Sequence, residues 1–265
     1  MMQVLADDGV RVDVRVDGSI GAAVVLIAGF PLTREVWDEQ AATLAQHCRV
    51  VRPNLRGTVK AERVNGPYLM ERLAADVAAV LDALGIERAA VAGHSLGGYV
   101  AMAFARMFSE RVSRIALICS RLAADTPEQA AARRDLADRV ERENSMQPVV
   151  DAIVPRMFAA RTLQSRPDLV DRVRTIASHV PPAGAAALLR GMALRSAAED
   201  IACDLDVPAW IVAGGADAVI PIEEARANAA AFPRGRAVIC EQSGHLPMLE
   251  EPETLAGALG AWLSE

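Results

Sequence analysis

Residues 89–98 read Ala89-Ala90-Val91-Ala92-Gly93-His94-Ser95-Leu96-Gly97-Gly98, and Tyr99-Val100-Ala101-Met102-Ala103-Phe104-Ala105 follow. A short apolar run, a glycine-flanked serine and a longer apolar run spell a buried strand, a sharp turn and a helix. Such a turn holds the serine backbone in a crowded, strained region, so the positions two before and two after it must lack side chains. Gly93 and Gly97 meet that demand, and Gly98 lets the helix approach the sheet. G-x-S-x-G by itself is weak: with Gly and Ser each near 7% of residues, about one chain in ten of this length carries it by chance. Its setting between strand and helix is what marks a nucleophile elbow, with helix N–H groups aimed at developing negative charge.

Outward from this stretch the strand-then-helix unit recurs. A hairpin is predicted over 3–6 and 10–16, around the turn Asp7-Asp8-Gly9. Val24-Val25-Leu26-Ile27-Ala28 is continuously apolar, as expected of a strand covered on both faces. It leads through Gly29-Phe30-Pro31 into a helix over 34–46. Residues 48–53 form a strand, and 68–84 an amphipathic helix closed by Gly85. Further strands fall at 114–120, 209–213 and 237–241, with helices at 222–231 and 252–263. This alternation predicts a doubly wound, mostly parallel α/β sheet.

Residues 121–204 break the rhythm. They carry helical patterns only, near 126–146, 148–159, 167–179 and 182–196, and Thr126-Pro127 supplies a cap and first-turn proline for the first. The expected organisation is one core of residues 1–120 and 205–265, with 121–204 inserted as a helical lid. Its apolar residues (Met146, Ile153, Met157, Phe158, Leu188, Leu189, Met192 and Leu194) suggest a partly apolar pocket, although at helical spacing they read first as lid core. There is no internal repeat.

The 265 residues have a formal net charge of −6, with 52% hydrophobic and 23% charged residues. An acidic balance argues against a nucleic-acid partner. Arg133-Arg134 and Arg139-Val140-Glu141-Arg142 read as a solvated helix face. Cys48, Cys119, Cys203 and Cys240 are scattered, which suggests core thiols rather than zinc or disulfides. The start lacks a secretory pattern and no apolar run reaches membrane-spanning length, so a cytoplasmic protein without a membrane partner is expected.

Serine needs a base, and only four histidines exist. His47 and His94 do not follow Ser95, His94 occupies the variable position of the motif, and His179 lies in the helical insertion. His245, in Ser243-Gly244-His245-Leu246-Pro247, stands directly after the last strand. Asp217, in Gly214-Gly215-Ala216-Asp217, follows the strand at 209–213, whereas Asp204 and Asp206 precede it at the wrong end of the sheet.

On these residues the chain resembles the α/β-hydrolase fold superfamily over nearly its full length, where the triad runs Ser, acid, His. The resemblance implies Ser95 as nucleophile, His245 as base and Asp217 as the acid that orients it. It also implies an oxyanion hole from the backbone N–H groups of Leu96 and Phe30. Glu250-Glu251-Pro252 matches the family's surroundings of the histidine. Two departures stand out. The usual His-Gly-x at the oxyanion donor is here Ala28-Gly29-Phe30, so the loop lacks that histidine's support. Relatives' Asp-x-Arg-Gly-His-Gly-x-Ser is here Asn54-Leu55-Arg56-Gly57-Thr58-Val59-Lys60, so that loop is expected to take its own conformation.

The implied activity is acyl transfer on a small-molecule ester or lactone, without metal or organic cofactor, by a monomer or small homo-oligomer. Enol-lactonases share this compact architecture. Relatives with an aspartate nucleophile, the haloalkane dehalogenases and epoxide hydrolases, are excluded by Ser95. Thioesterases, C–C bond hydrolases and aminopeptidases stay open, as do a pseudo-enzyme scaffold and a ligand receptor that retains the triad.

Overall fold

The computed structural model describes residues 2–59 and 66–265. Eight strands form one sheet in the order β1-β2-β4-β3-β5-β6-β7-β8. They are β1 (Met2–Leu5), β2 (Arg11–Asp17), β3 (Ala23–Ile27), β4 (Arg49–Pro53), β5 (Ala89–His94), β6 (Val112–Ile118), β7 (Ala209–Gly214) and β8 (Gly235–Cys240). Only the pairings made by β2 are antiparallel; the others run parallel. The helices are α1 (Asp38–Leu44), α2 (Met70–Ala83), α3 (Leu96–Met107), α4 (Pro127–Glu143), α5 (Gln147–Ile153), α6 (Ala160–Ser165), α7 (Pro167–His179), α8 (Pro182–Ala193), α9 (Glu199–Asp204), α10 (Ile222–Ala230), α11 (Pro247–Glu250) and α12 (Pro252–Ser264).

Alternate side chains of a strand face opposite sides, and β3 serves both. Val25 and Ile27 join the core with α2, α3 and α10. Val24 and Leu26 join the one with α1 and α12. Burial on both faces is why β3 reads as unbroken apolar sequence. The parallel strands all end at one edge of the sheet, where Ala28, Asn54, Ser95, Cys119, Gly215 and Glu241 begin the connecting loops.

The local expectations hold where turn chemistry is explicit. Gly9 takes φ +81° in the first hairpin, and the Ala6 N–H donates to the Val10 carbonyl at 2.8 Å. Gly85 ends α2 with φ +64°. Thr126 and Gln129 form a reciprocal capping box, with Pro127 at the first position of α4. Boundaries move elsewhere. The strand expected at 114–120 is Val112–Ile118, and α2 starts at Met70. The helix expected over 148–159 stops at Ile153 and tightens into a 3-10 turn, Val154–Met157. Two short helices, α6 and α9, lack a periodic signal long enough to be read.

The loop after β4 is described up to Val59; the Lys60 end of the stretch singled out in the sequence lies outside the described residues. Asn54 accepts the Arg34 N–H at 2.9 Å, and the Thr58 hydroxyl donates to the Leu55 carbonyl at 2.7 Å. Arg56, 6% exposed, bridges Asp76 of α2 at 2.6 Å and Asp8 of the first hairpin at 2.7 Å. A buried guanidinium needs such partners, so the loop ties hairpin and helix together. Among the described residues, no helix is long and apolar enough to cross a membrane.

Candidate active site

Ser95 stands between β5 and α3 with φ +50° and ψ −114°, a region that non-glycine residues rarely adopt. Neighbouring backbone fixes it there. Its N–H donates to the Ile118 carbonyl at 2.9 Å, and its carbonyl accepts from the Gly98 N–H at 2.8 Å. The Ser120 hydroxyl donates to the same carbonyl at 2.9 Å. The glycines are a steric requirement: a methyl at Gly93 would strike the Gly97 backbone, and one at Gly98 would strike the Ser120 hydroxyl.

Asp217 and His245 come from the loops after β7 and β8, at the same sheet edge. His245 Nδ1 lies 2.8 Å from Asp217 Oδ2. The other oxygen, Oδ1, accepts from the N–H groups of Val219 at 2.7 Å and Ile220 at 3.1 Å. Burial alone would raise the Asp217 pKa. The hydrogen bond and charge of His245, with those two N–H groups, outweigh it and hold the carboxyl below its ordinary range. Asp217 is therefore an anion facing Nδ1–H, which leaves Nε2 as the free ring nitrogen.

Ser95 and His245 line one cavity of about 270 Å³, together with Phe30 and Tyr99. Its roof comes from the helical insertion: Gln129, Ala132 and Arg133 of α4, Ile153 of α5, Arg156 and Met157 of the 3-10 turn, and Met192 of α8. Of the eight apolar residues singled out in the sequence, Ile153, Met157 and Met192 reach this cavity. Leu188 and Leu189 are core, and Leu194 is exposed. Arg133 corrects the reading of its run as a solvated face. Arg134 and Arg139 are exposed, but Arg133 points inward, lines the cavity and pairs with Asp125.

Phe30 and Leu96 occupy the two positions expected of oxyanion donors, one after β3 and one at the start of α3. Their N–H groups take no part in the turn bonds beside them, which run from Leu32 N–H to Gly29 O and from Gly98 N–H to Ser95 O, each at 2.8 Å.

His94 was given no role by its place in the motif, and the structure gives it one. It is fully buried, with Nε2 2.8 Å from the His245 carbonyl. That carbonyl can only accept, so Nε2 carries the proton. Nδ1 has no partner and abuts Gly29, where a methyl would collide with it. The loop that lacks its usual histidine at Ala28 thus rests on His94. Burial, then the nearby His245 charge, pushes His94 down to about 3. Below its ordinary value near 6.5 the unfolded chain takes up a proton that the folded chain refuses. Stability is therefore full above about pH 6.5 and falls toward pH 3, at about 1.4 kcal/mol per pH unit for one group. His94→Gln should flatten urea-unfolding free energy against pH between 6.5 and 4 by up to that slope; an unchanged slope would count against this account.

Glu250, matched in sequence only as surroundings, accepts the N–H groups of Ala159 at 2.9 Å and Gly244 at 2.7 Å. The His245 N–H donates to the Met157 carbonyl at 2.8 Å. The histidine loop is thereby fastened to the helical insertion. Cys119, Asp217 and His245 offer ligand atoms within 4.8 Å of one another. The 2.8 Å between Asp217 and His245 is a hydrogen-bond spacing, shorter than the roughly 3.3 Å between two ligands on a tetrahedral zinc. The Cys119 thiol is buried, and burial, then the Asp217 charge, raises it well above its ordinary range. It is an inert neighbour.

Residues 22–252 match the family described as the alpha/beta hydrolase fold, and the chain belongs to that family. A thermophilic esterase from Thermogutta terrifontis superposes with a TM-score of 0.95 at 33% identity, over 99% of this chain and 97% of its own. The enol-lactonase from Burkholderia xenovorans gives 0.91 at 26% identity, over the whole of both chains. An uncharacterized protein of Mycobacterium tuberculosis is 30% identical over 92% of this chain and 75% of its own.

Proposed function

We propose that this chain is a serine hydrolase of small carboxylic esters or lactones, working through an acyl-enzyme on Ser95. The observation that carries the reading is the 2.8 Å contact of Asp217 with His245 Nδ1, on a histidine that shares its cavity with Ser95. An anion at Nδ1–H fixes the tautomer in which Nε2 accepts the Ser95 proton. The serine oxygen then attacks the carbonyl, and the N–H groups of Phe30 and Leu96 hold the oxyanion. His245 passes the proton to the leaving alcohol. Water, deprotonated by the same nitrogen, frees the acid. Residues 121–204 act as the lid over residues 1–120 and 205–265.

An esterase and an enol-lactonase among the structures it resembles support ester and lactone bonds over the other carbonyl chemistries of this fold. Four unpaired cysteines fit a reducing, cytoplasmic setting. The test is a fluorophosphonate probe followed by peptide mass mapping, beside a panel of short-chain 4-nitrophenyl esters and lactones. Added mass on the Ser95 peptide with many turnovers per chain is expected. Mass on another peptide alone, or one equivalent cleaved and no more, would sink the proposal.

A further inference from the structure

The charge around the cavity is opposite to that of the chain as a whole. The formal net charge is −6, yet among the described residues the cavity lining holds Arg121, Arg133 and Arg156 and no carboxylate. The acids behind them do not balance them. Glu224 pairs with Arg121 at 3.1 Å. Asp125 is shared between Arg133 and Arg195, the second contact at 3.1 Å, and Arg156 makes no ion pair with the described residues. Four guanidiniums, with Arg195 behind the lining, thus stand near three carboxylates, Glu224, Asp125 and Asp217, the last hydrogen-bonded to the His245 ring.

The guanidiniums are also incompletely bonded toward the cavity. Arg133 gives Nε and Nη2 to Asp125 and has the Tyr99 hydroxyl as a further partner, while Nη1 lies 3.4 Å from the Met192 sulfur, a weak acceptor for so strong a donor. Arg156 is exposed at the rim. A planar guanidinium with unused N–H groups matches a carboxylate in geometry and charge.

We propose that the cavity selects esters or lactones that carry a carboxylate close to the scissile carbonyl, bound by Arg133 and Arg156 with Arg121 adding charge. The proposal rests on Ser95 being the nucleophile. The volume of about 270 Å³ lies just below the usual range of ligand pockets, roughly 300–1,000 Å³, which favours a short-chain acid.

Two matched pairs test it. 4-Nitrophenyl hydrogen adipate against methyl 4-nitrophenyl adipate places the charge on the acyl side. 4-Acetoxybenzoate against its methyl ester places it on the alcohol side. The acid member of at least one pair should have the higher kcat/KM by about tenfold or more, the scale of a charge-assisted hydrogen bond. That ratio should collapse toward one in Arg156→Met, whose exposed, unpaired side chain is dispensable for folding, and in Arg133→Met, where Arg195 still holds Asp125. Ratios near one for both pairs in the wild type, or a ratio that survives both substitutions, would overturn the subsite while leaving the Ser95 chemistry standing. If no ester turns over, the Ser95 reading fails instead. The subsite is then decided by calorimetric titration of adipate into Ser95→Ala: binding that Arg156→Met abolishes upholds it, and no binding at millimolar adipate overturns it.

Discussion

Ser95→Ala should lower ester turnover by about 10⁴-fold or more and abolish fluorophosphonate labelling. The substitution removes one oxygen and leaves the surroundings intact. The N–H to Ile118, the carbonyl bonds from Gly98 and Ser120 and the Cβ all remain. The loss therefore reads the chemistry of the hydroxyl and not of the turn. A companion variant separates the two. At φ +50° alanine is as strained as serine, whereas glycine is not. Ser95→Gly should be equally inactive yet at least as stable to urea as Ser95→Ala, although glycine beside a helix ordinarily loses up to about 1 kcal/mol against alanine. Turnover within tenfold of wild type in Ser95→Ala would remove the hydroxyl from the mechanism. An alanine variant clearly more stable than the glycine variant would remove the strain.

The parts of this molecule legible in the sequence are those written in local chemistry. Strands buried on both faces are unbroken apolar runs, and Gly93 and Gly97 are legible because no larger residue fits beside Ser95. The order of Ser95, Asp217 and His245 follows from which loops leave the same end of a parallel sheet. What stays hidden depends on elements distant in sequence. His94 looks like a variable letter until the fold brings it under His245, 151 residues away. The inward turn of Arg133 is set by Asp125 and Met192, one on a loop and the other on α8. Helices α6 and α9 have six residues each, too few for a period of 3.6 to declare itself. Glu250 was visible as part of a matching stretch, but its two N–H partners lie on segments 91 and 6 residues away.

Asp217→Asn should lower kcat by about 10⁴-fold with KM little changed, and the reason lies in which oxygen does what. Oδ1 accepts two backbone N–H groups, from Val219 and Ile220. An amide NH₂ cannot take that place, since donors would then face donors. The asparagine must therefore keep its oxygen there and turn its NH₂ toward His245 Nδ1, where Oδ2 had stood at 2.8 Å. A donor at that position obliges Nδ1 to accept, so the ring proton moves to Nε2, and Nε2 can no longer receive the proton of Ser95. Fold and cavity are unaffected, because every backbone bond of the loop is kept. The signature is thus a folded protein with slow labelling at Ser95 and a His245 ring whose ¹⁵N shifts report protonation exchanged from Nδ1 to Nε2. A variant within tenfold of wild-type kcat, or one with the Nδ1–H tautomer retained, would show that Asp217 does not set the proton on His245, and another acid would have to be found.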